Sequence, residues 1–133
     1  MIRLSLTEFK KLFGKNPGPD KRPKYGNKKC SWGGKNFDSI HERDRYIALF
    51  NMRACGEISN LRTQVRFQLT PPQYENGKLV EQPCYYVADF VYCDRYGKTV
   101  VEDAKSEITR KNQTYIIKRK LMLERYGIRI VEV

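Results

Sequence analysis

A single histidine removes most of the hydrolytic chemistries that depend on imidazole. His41 is alone in this 133-residue chain, so a histidine-ligated metal centre has no second ligand and a Ser-His-Asp triad has no recognisable nucleophile. Cysteine offers no substitute. Cys30, Cys55, Cys84 and Cys93 lie 25, 29 and 9 positions apart, without the Cys-x-x-Cys pair that zinc sites use. They read as small buried thiols in a reducing cytoplasm. Long hydrophobic runs are also missing. The longest, Cys84 to Cys93, is interrupted by Asp89 and falls well short of the roughly 20 residues that span a bilayer. No apolar leader is seen, so neither membrane insertion nor secretion is expected. Acidic residues are the last shortage: 15 Asp and Glu face 26 Lys and Arg, a net charge of +11. An excess of that size calls for a polyanionic partner, with nucleic acid the first candidate.

The charge is unevenly distributed. Residues 1–36 carry ten basic and two acidic side chains, and residues 108–133 carry seven and two. Between them, residues 37–107 hold nine basic and eleven acidic, so the middle of a strongly basic protein is mildly acidic. Carboxylates facing a polyanion weaken binding unless they hold a metal that reverses their sign.

Leu6, Phe9, Leu12 and Phe13 predict a short N-terminal helix over 5–13, and the Pro, Gly and Lys of 14–26 predict a basic arm or tether. Residues 1–23 form this appendage and 24–133 the main domain. Gly33-Gly34 predicts a small hairpin between 29–32 and 35–37. A helix follows from about Ile40 to Ala54, opened by a capping box of Ser39 and Glu42. Leu61 to Thr70 alternates as a strand with one wet face, and 73–83 reads as a polar loop or ragged hairpin around Asn76-Gly77. Tyr85–Cys93 and Thr99–Lys105 form a central hairpin, Asn112–Tyr126 a basic amphipathic helix stopped by Gly127, and Ile128–Val133 a closing strand. This order predicts an α/β fold: a central mixed β-sheet flanked by helices.

The central hairpin carries the chemistry. Asp94 at the start of a type I turn and Gly97 in the left-handed position predict a three-residue loop that pairs Asp94 with Lys98. Asp89 then lies across from Asp103, with Cβ atoms about 5 Å apart, and Lys105 lies opposite Val87. Val87, Asp89, Val91, Val101, Asp103 and Lys105 share one face in this register, and Glu102 points to the other as a structural or exposed residue. Opposed, desolvated carboxylates destabilise a sheet unless a cation joins them. Mg²⁺ fits, with Mn²⁺ as a substitute, and Lys105 is positioned to serve an attacking water or the charge of a phosphorane. Lys24, Lys28 and Lys29 of the basic N-terminal region and Lys118, Arg119 and Lys120 of the second helix are candidate phosphate contacts. Gln64 is a candidate contact to substrate or metal-bound water.

Val-Ala-Asp-Phe at 87–90 followed by Asp-Ala-Lys at 103–105 resembles the PD-(D/E)XK nuclease pattern, with Ala88 where proline is usually named. Resolvase-like members of that class place a Glu on the preceding helix, and Glu42 in Phe-Asp-Ser-Ile-His-Glu-Arg matches it. From Lys24 to Lys120 further segments, among them Gly56-Glu57-Ile58, Val101-Glu102-Asp103 and Ile117-Lys118-Arg119-Lys120, resemble a family of small phage-encoded proteins of this fold. The resemblance implies a restriction-endonuclease-like core over 24–133 and metal-dependent DNA cleavage, with Glu42, Asp89 and Asp103 as ligands. A branched-DNA or Holliday-junction substrate, acted on by a homodimer in the host bacterial cytoplasm, is the specific expectation. The alternatives are a nicking subunit of a recombination or packaging complex and a non-catalytic nucleic-acid binder.

Overall fold

Two consecutive glycines with left-handed backbone, Gly33 (φ 58°) and Gly34 (φ 79°), turn β1 (Cys30–Trp32) back onto β2 (Lys35–Phe37) as the antiparallel hairpin expected. The computed structural model describes residues 29–133. The helix at 5–13, the arm, the boundary at 23/24, Lys24 and Lys28 lie outside the described residues. The chain divides into two compact units, 1–40 and 41–133. The hairpin belongs to the first, and the sheet and every element paired or packed with it belong to the second.

Helix α1 (Ile40–Ala54) has the bounds expected from its sequence and buries Glu42, Tyr46 and Leu49 along one stripe. Four strands make the main sheet: β3 (Ser59–Thr70), β6 (Cys84–Cys93), β7 (Thr99–Asp103) and β8 (Val131–Glu132), in the order β3-β6-β7-β8. The first two pairings are antiparallel and the last parallel, so the sheet is mixed, as expected. Between β3 and β6, β4 (Gln73–Glu75) and β5 (Lys78–Glu81) form a separate hairpin turned at Asn76 (φ 51°) and Gly77 (φ 77°). One-turn helix α2 (Glu107–Arg110), unanticipated, is capped by Ser106, whose side chain accepts from the Thr109 N–H. Helix α3 (Gln113–Tyr126) starts at the Asn112 cap and ends at left-handed Gly127, whose N–H donates to Leu123 O.

The turn after β6 takes the expected form. Asp94 N donates to Lys98 O, Gly97 has φ 78°, and the Asp94 carboxylate accepts from the N–H groups of Tyr96 and Lys98. The register it sets pairs Phe90 with Glu102, Val91 with Val101 and Cys93 with Thr99. Paired residues share a face. On one face α1 packs, Tyr46 stacking near Phe90 and Arg45 reaching Glu102. On the other, Tyr115 and Met122 of α3 join Val65, Leu69, Tyr86, Ala88, Val91, Val101 and Ile130 in the core.

Three expectations are corrected. Val87 is 46 % exposed and Tyr86 takes its place on the α3 face, because alternation along β6 breaks between Ala88 and Val91. The break lies beside Gln64, whose φ of 53° interrupts β3 where Thr63 pairs with Phe90 and Val65 with Ala88. Lys105 is off the strand: β7 ends at Asp103, and the Lys105 N–H donates to Val133 O beside β8. The cysteines are not buried thiols, since Cys55 is exposed and the other three are half-buried, all unpaired. Among the described residues no helix is long and apolar enough to cross a membrane.

Glu102, 1 % exposed, accepts both ends of the Arg45 guanidinium at 2.7 Å and the Tyr92 hydroxyl. Burial and the Glu102 bond raise the Tyr92 phenol to about 12. Glu102 is thus a structural carboxylate on the α1 face. Replacing it with Ala leaves a guanidinium and a buried hydroxyl without their acceptor, so Glu102→Ala is expected to cost about 2–4 kcal/mol in urea unfolding, and Glu102→Gln less.

Candidate active site

Four elements bring the site together at the end of the sheet. α1 supplies Glu42, β3 supplies Gln64, β6 supplies Asp89, and the end of β7 with the residues after it supplies Asp103 and Lys105. Extending the β6–β7 register one step past Phe90 and Glu102 brings Asp89 beside Asp103, and the two carboxyls lie within hydrogen-bonding reach. Asp89 Oδ2 accepts from the Ala104 N–H at 2.9 Å. Asp103 is 3 % exposed, accepts from the Tyr86 hydroxyl at 2.6 Å through Oδ2, and meets Lys105 Nζ at 3.3 Å through Oδ1.

Gln64 links the remaining carboxylate. Its Nε2 donates to Glu42 Oε1 at 3.2 Å and to Asp89 Oδ1 at 3.3 Å, so Glu42 stands one amide away from the aspartate pair. A non-glycine residue with positive φ within a strand is strained, and strain of this kind concentrates where a side chain must be aimed. Among the described residues no three His, Cys, Asp or Glu side chains are close enough to hold a metal by themselves. The donor set is therefore a carboxylate pair with a third carboxylate held off by Gln64. With oxygen donors only, it suits a hard divalent cation completed by water and phosphate oxygens.

The electrostatics follow from that arrangement. Burial first, then the hydrogen bond and charge of Asp103, push the Asp89 carboxyl up to about 7, against the opposing effects of the Ala104 N–H and Lys105. Burial and the Asp103 carboxylate likewise hold the Tyr86 phenol far above its ordinary range, so it remains a hydrogen-bond donor. Lys105 Nζ also lies 4.6 Å from the centroid of the Tyr115 ring, and the Tyr115 hydroxyl donates to Glu132 Oε1 at 2.8 Å.

The structure thus gathers Glu42, Gln64, Asp89, Asp103 and Lys105, and leaves Glu102 in its pair with Arg45. Lys29 is exposed in the first unit, just before β1. Of the α3 residues, Lys118 is half-buried, Arg119 is tied to Glu132 at 3.3 Å, and Lys120 is exposed. Tyr86 and Tyr115 were not among the candidates. Strict alternation put Tyr86 on the wrong face, and nothing local in the sequence ties Tyr115 to Lys105. His41 is occupied elsewhere, its Nε2 lying 2.7 Å from Val133 O.

A carboxyl that ionises less readily folded than unfolded favours the fold fully below its unfolded pKa of about 3.9, and that contribution is lost as pH rises through the folded value, about 7. Asparagine at this position cannot ionise and can donate to Asp103. Metal-free Asp89→Asn is therefore expected to melt a few degrees above the wild type at about pH 8, with the difference shrinking towards about pH 4, as followed by circular dichroism.

No curated protein and no solved structure matches the chain. Residues 22–131 match the family model described as "Protein of unknown function (DUF1064)", and the chain belongs to that family.

Proposed function

We propose that the chain is a Mg²⁺-dependent endodeoxyribonuclease with a restriction-endonuclease-like core, acting on branched DNA such as a four-way junction. The observation that carries the reading is the juxtaposition of Asp89 with Asp103 on neighbouring strands, where Asp89 accepts from the N–H of Ala104 and Lys105 Nζ lies 3.3 Å from Asp103. Two desolvated carboxylates and an ammonium at one sheet end are costly for a fold to keep and are the groups that phosphodiester hydrolysis needs.

The residues divide the work by their contacts. Asp89 and Asp103 would hold the cation, Asp103 fixed by the Tyr86 hydroxyl and Asp89 by the Ala104 N–H. Glu42 completes the carboxylate set when the Gln64 amide gives up its donor bond to it. A bound Mg²⁺ supplies Lewis-acid charge at the phosphodiester and lowers the pKa of a water. In hydrolysis a water oxygen would bond to phosphorus as one bridging P–O bond breaks, leaving a phosphate monoester and a hydroxyl. Lys105 can direct its N–H bonds at the attacking water or at the oxygens that gain charge as the bond forms. Mn²⁺ is expected to replace Mg²⁺.

The basic ends of the chain complete the reading, since Lys24, Lys28, Lys29, Lys118, Arg119 and Lys120 supply positive charge on either side, along the sequence, of the more acidic segment 37–107. Symmetric cutting of a junction calls for a homodimer.

The test incubates purified protein with linear duplex, single-stranded, flap and four-way-junction DNA, in Mg²⁺ and in chelator, beside Asp103→Ala and Lys105→Ala. Metal-dependent cutting, preferentially of the junction, is expected, with each substitution lowering the rate by about 100-fold or more. Absence of metal-dependent cutting on every substrate, or cutting that survives both substitutions, would overturn the proposal.

A further inference from the structure

An open groove of about 760 Å³ runs between α3 and the chain leading into β8, lined by Arg119, Lys120, Leu123, Arg129, Ile130 and Glu132. We propose that this groove holds the sugar-phosphate backbone of DNA beside the phosphodiester to be cut, with Lys120 and Arg129 as its direct phosphate contacts. The inference rests on the nuclease reading above and gives that site its flanking substrate contact.

Position is the first argument. Glu132, at the groove's edge, is the Cα partner of Asp103 in the parallel β7–β8 ladder. Paired residues of neighbouring strands lie about 4.8 Å apart and share a face. The groove therefore begins one strand away from the carboxylate pair, on the side of the sheet that α3 covers. Tyr115 stands between them, its ring beside Lys105 Nζ and its hydroxyl on Glu132.

Charge is the second. Glu132 is met by Arg110 at 3.1 Å and Arg119 at 3.3 Å, so one carboxylate neutralises part of the basic cluster and fixes Arg119 at the rim. Lys120 and Arg129 are exposed and form no ion pair among the described residues, which leaves their charge for an incoming anion. An open groove lined by basic and aliphatic side chains fits a polymer of phosphates whose sugars carry C–H surface. Backbone contact of this kind positions a duplex without reading sequence, which suits a nuclease that selects DNA by shape.

Binding is measured in chelator, where no cutting occurs, by fluorescence anisotropy of labelled duplex and four-way-junction DNA over a range of salt. The double variant Lys120→Ala/Arg129→Ala is expected to bind about tenfold more weakly at about 0.1 M salt, with a log–log salt slope shallower by about 2, one for each lost phosphate contact. Lys78→Ala on the β4–β5 hairpin removes one charge from elsewhere and is expected to change neither. Should the double variant melt early, Lys120→Ala alone, at an exposed position, is expected to reduce the slope by about 1. Wild-type affinity and slope in the variants, an equal loss in Lys78→Ala, or no DNA binding by the wild type would each overturn the groove. Failure of the wild type to cleave, with the variant losses intact, would overturn the nuclease reading and support the groove as a DNA-binding site.

Discussion

The contact between Asp89 and Asp103 is the constraint around which the second unit is arranged. A sheet tolerates a buried carboxylate beside a half-buried one only if neighbouring groups offset their repulsion, and the neighbours here do so one atom at a time. The Tyr86 hydroxyl and Lys105 Nζ take the two oxygens of Asp103, and the Ala104 N–H and the Gln64 amide take those of Asp89. What remains is the burial and the charge of Asp103, which raise the Asp89 carboxyl to about 7. Even the backbone participates, since the left-handed Gln64 aims its amide at two carboxylates at once.

The same logic separates this pair from Glu102, another buried carboxylate. Glu102 is adjacent in sequence to Asp103 and equally inaccessible, yet its partner is an arginine with two matched N–H donors and its surroundings are complete. One carboxylate is saturated by Arg45 and holds α1 to the sheet; the other is supported on its rim by tyrosine and lysine. Alternation along β7 sends the two to opposite helices, and that division keeps a structural ion pair from competing with a candidate metal site.

Most of this was legible from residue order where the information is local. Asp94 and Gly97 settle the turn, the turn settles the register, and the register brings Asp89 to Asp103, so three short-range rules suffice for the central pair. Gly33-Gly34, Ser39 with Glu42, and Gly127 likewise mark their own elements. The reading failed where strict alternation was extended through a distortion. The phase break between Ala88 and Val91 moves Val87 out and Tyr86 in, and it depends on the conformation of Gln64 on a neighbouring strand. Lys105 reaches Asp103 although it is not on β7, because the chain bends to pair with Val133. Contacts made across the fold, such as Tyr115 with Lys105 and Glu132, have no short-range signature.

The net charge gains a spatial meaning from these contacts. Basic side chains on α3 and before β8 line a groove that begins one strand away from Asp103, so the basic surface adjoins the proposed cation site. Direct titration with Mn²⁺, followed by calorimetry in the absence of DNA, tests the central claim that the Asp89–Asp103 pair is a cation site. Saturable binding by the wild type that is abolished in Asp103→Asn is the predicted result; no binding, or binding that the substitution leaves unchanged, would contradict the account.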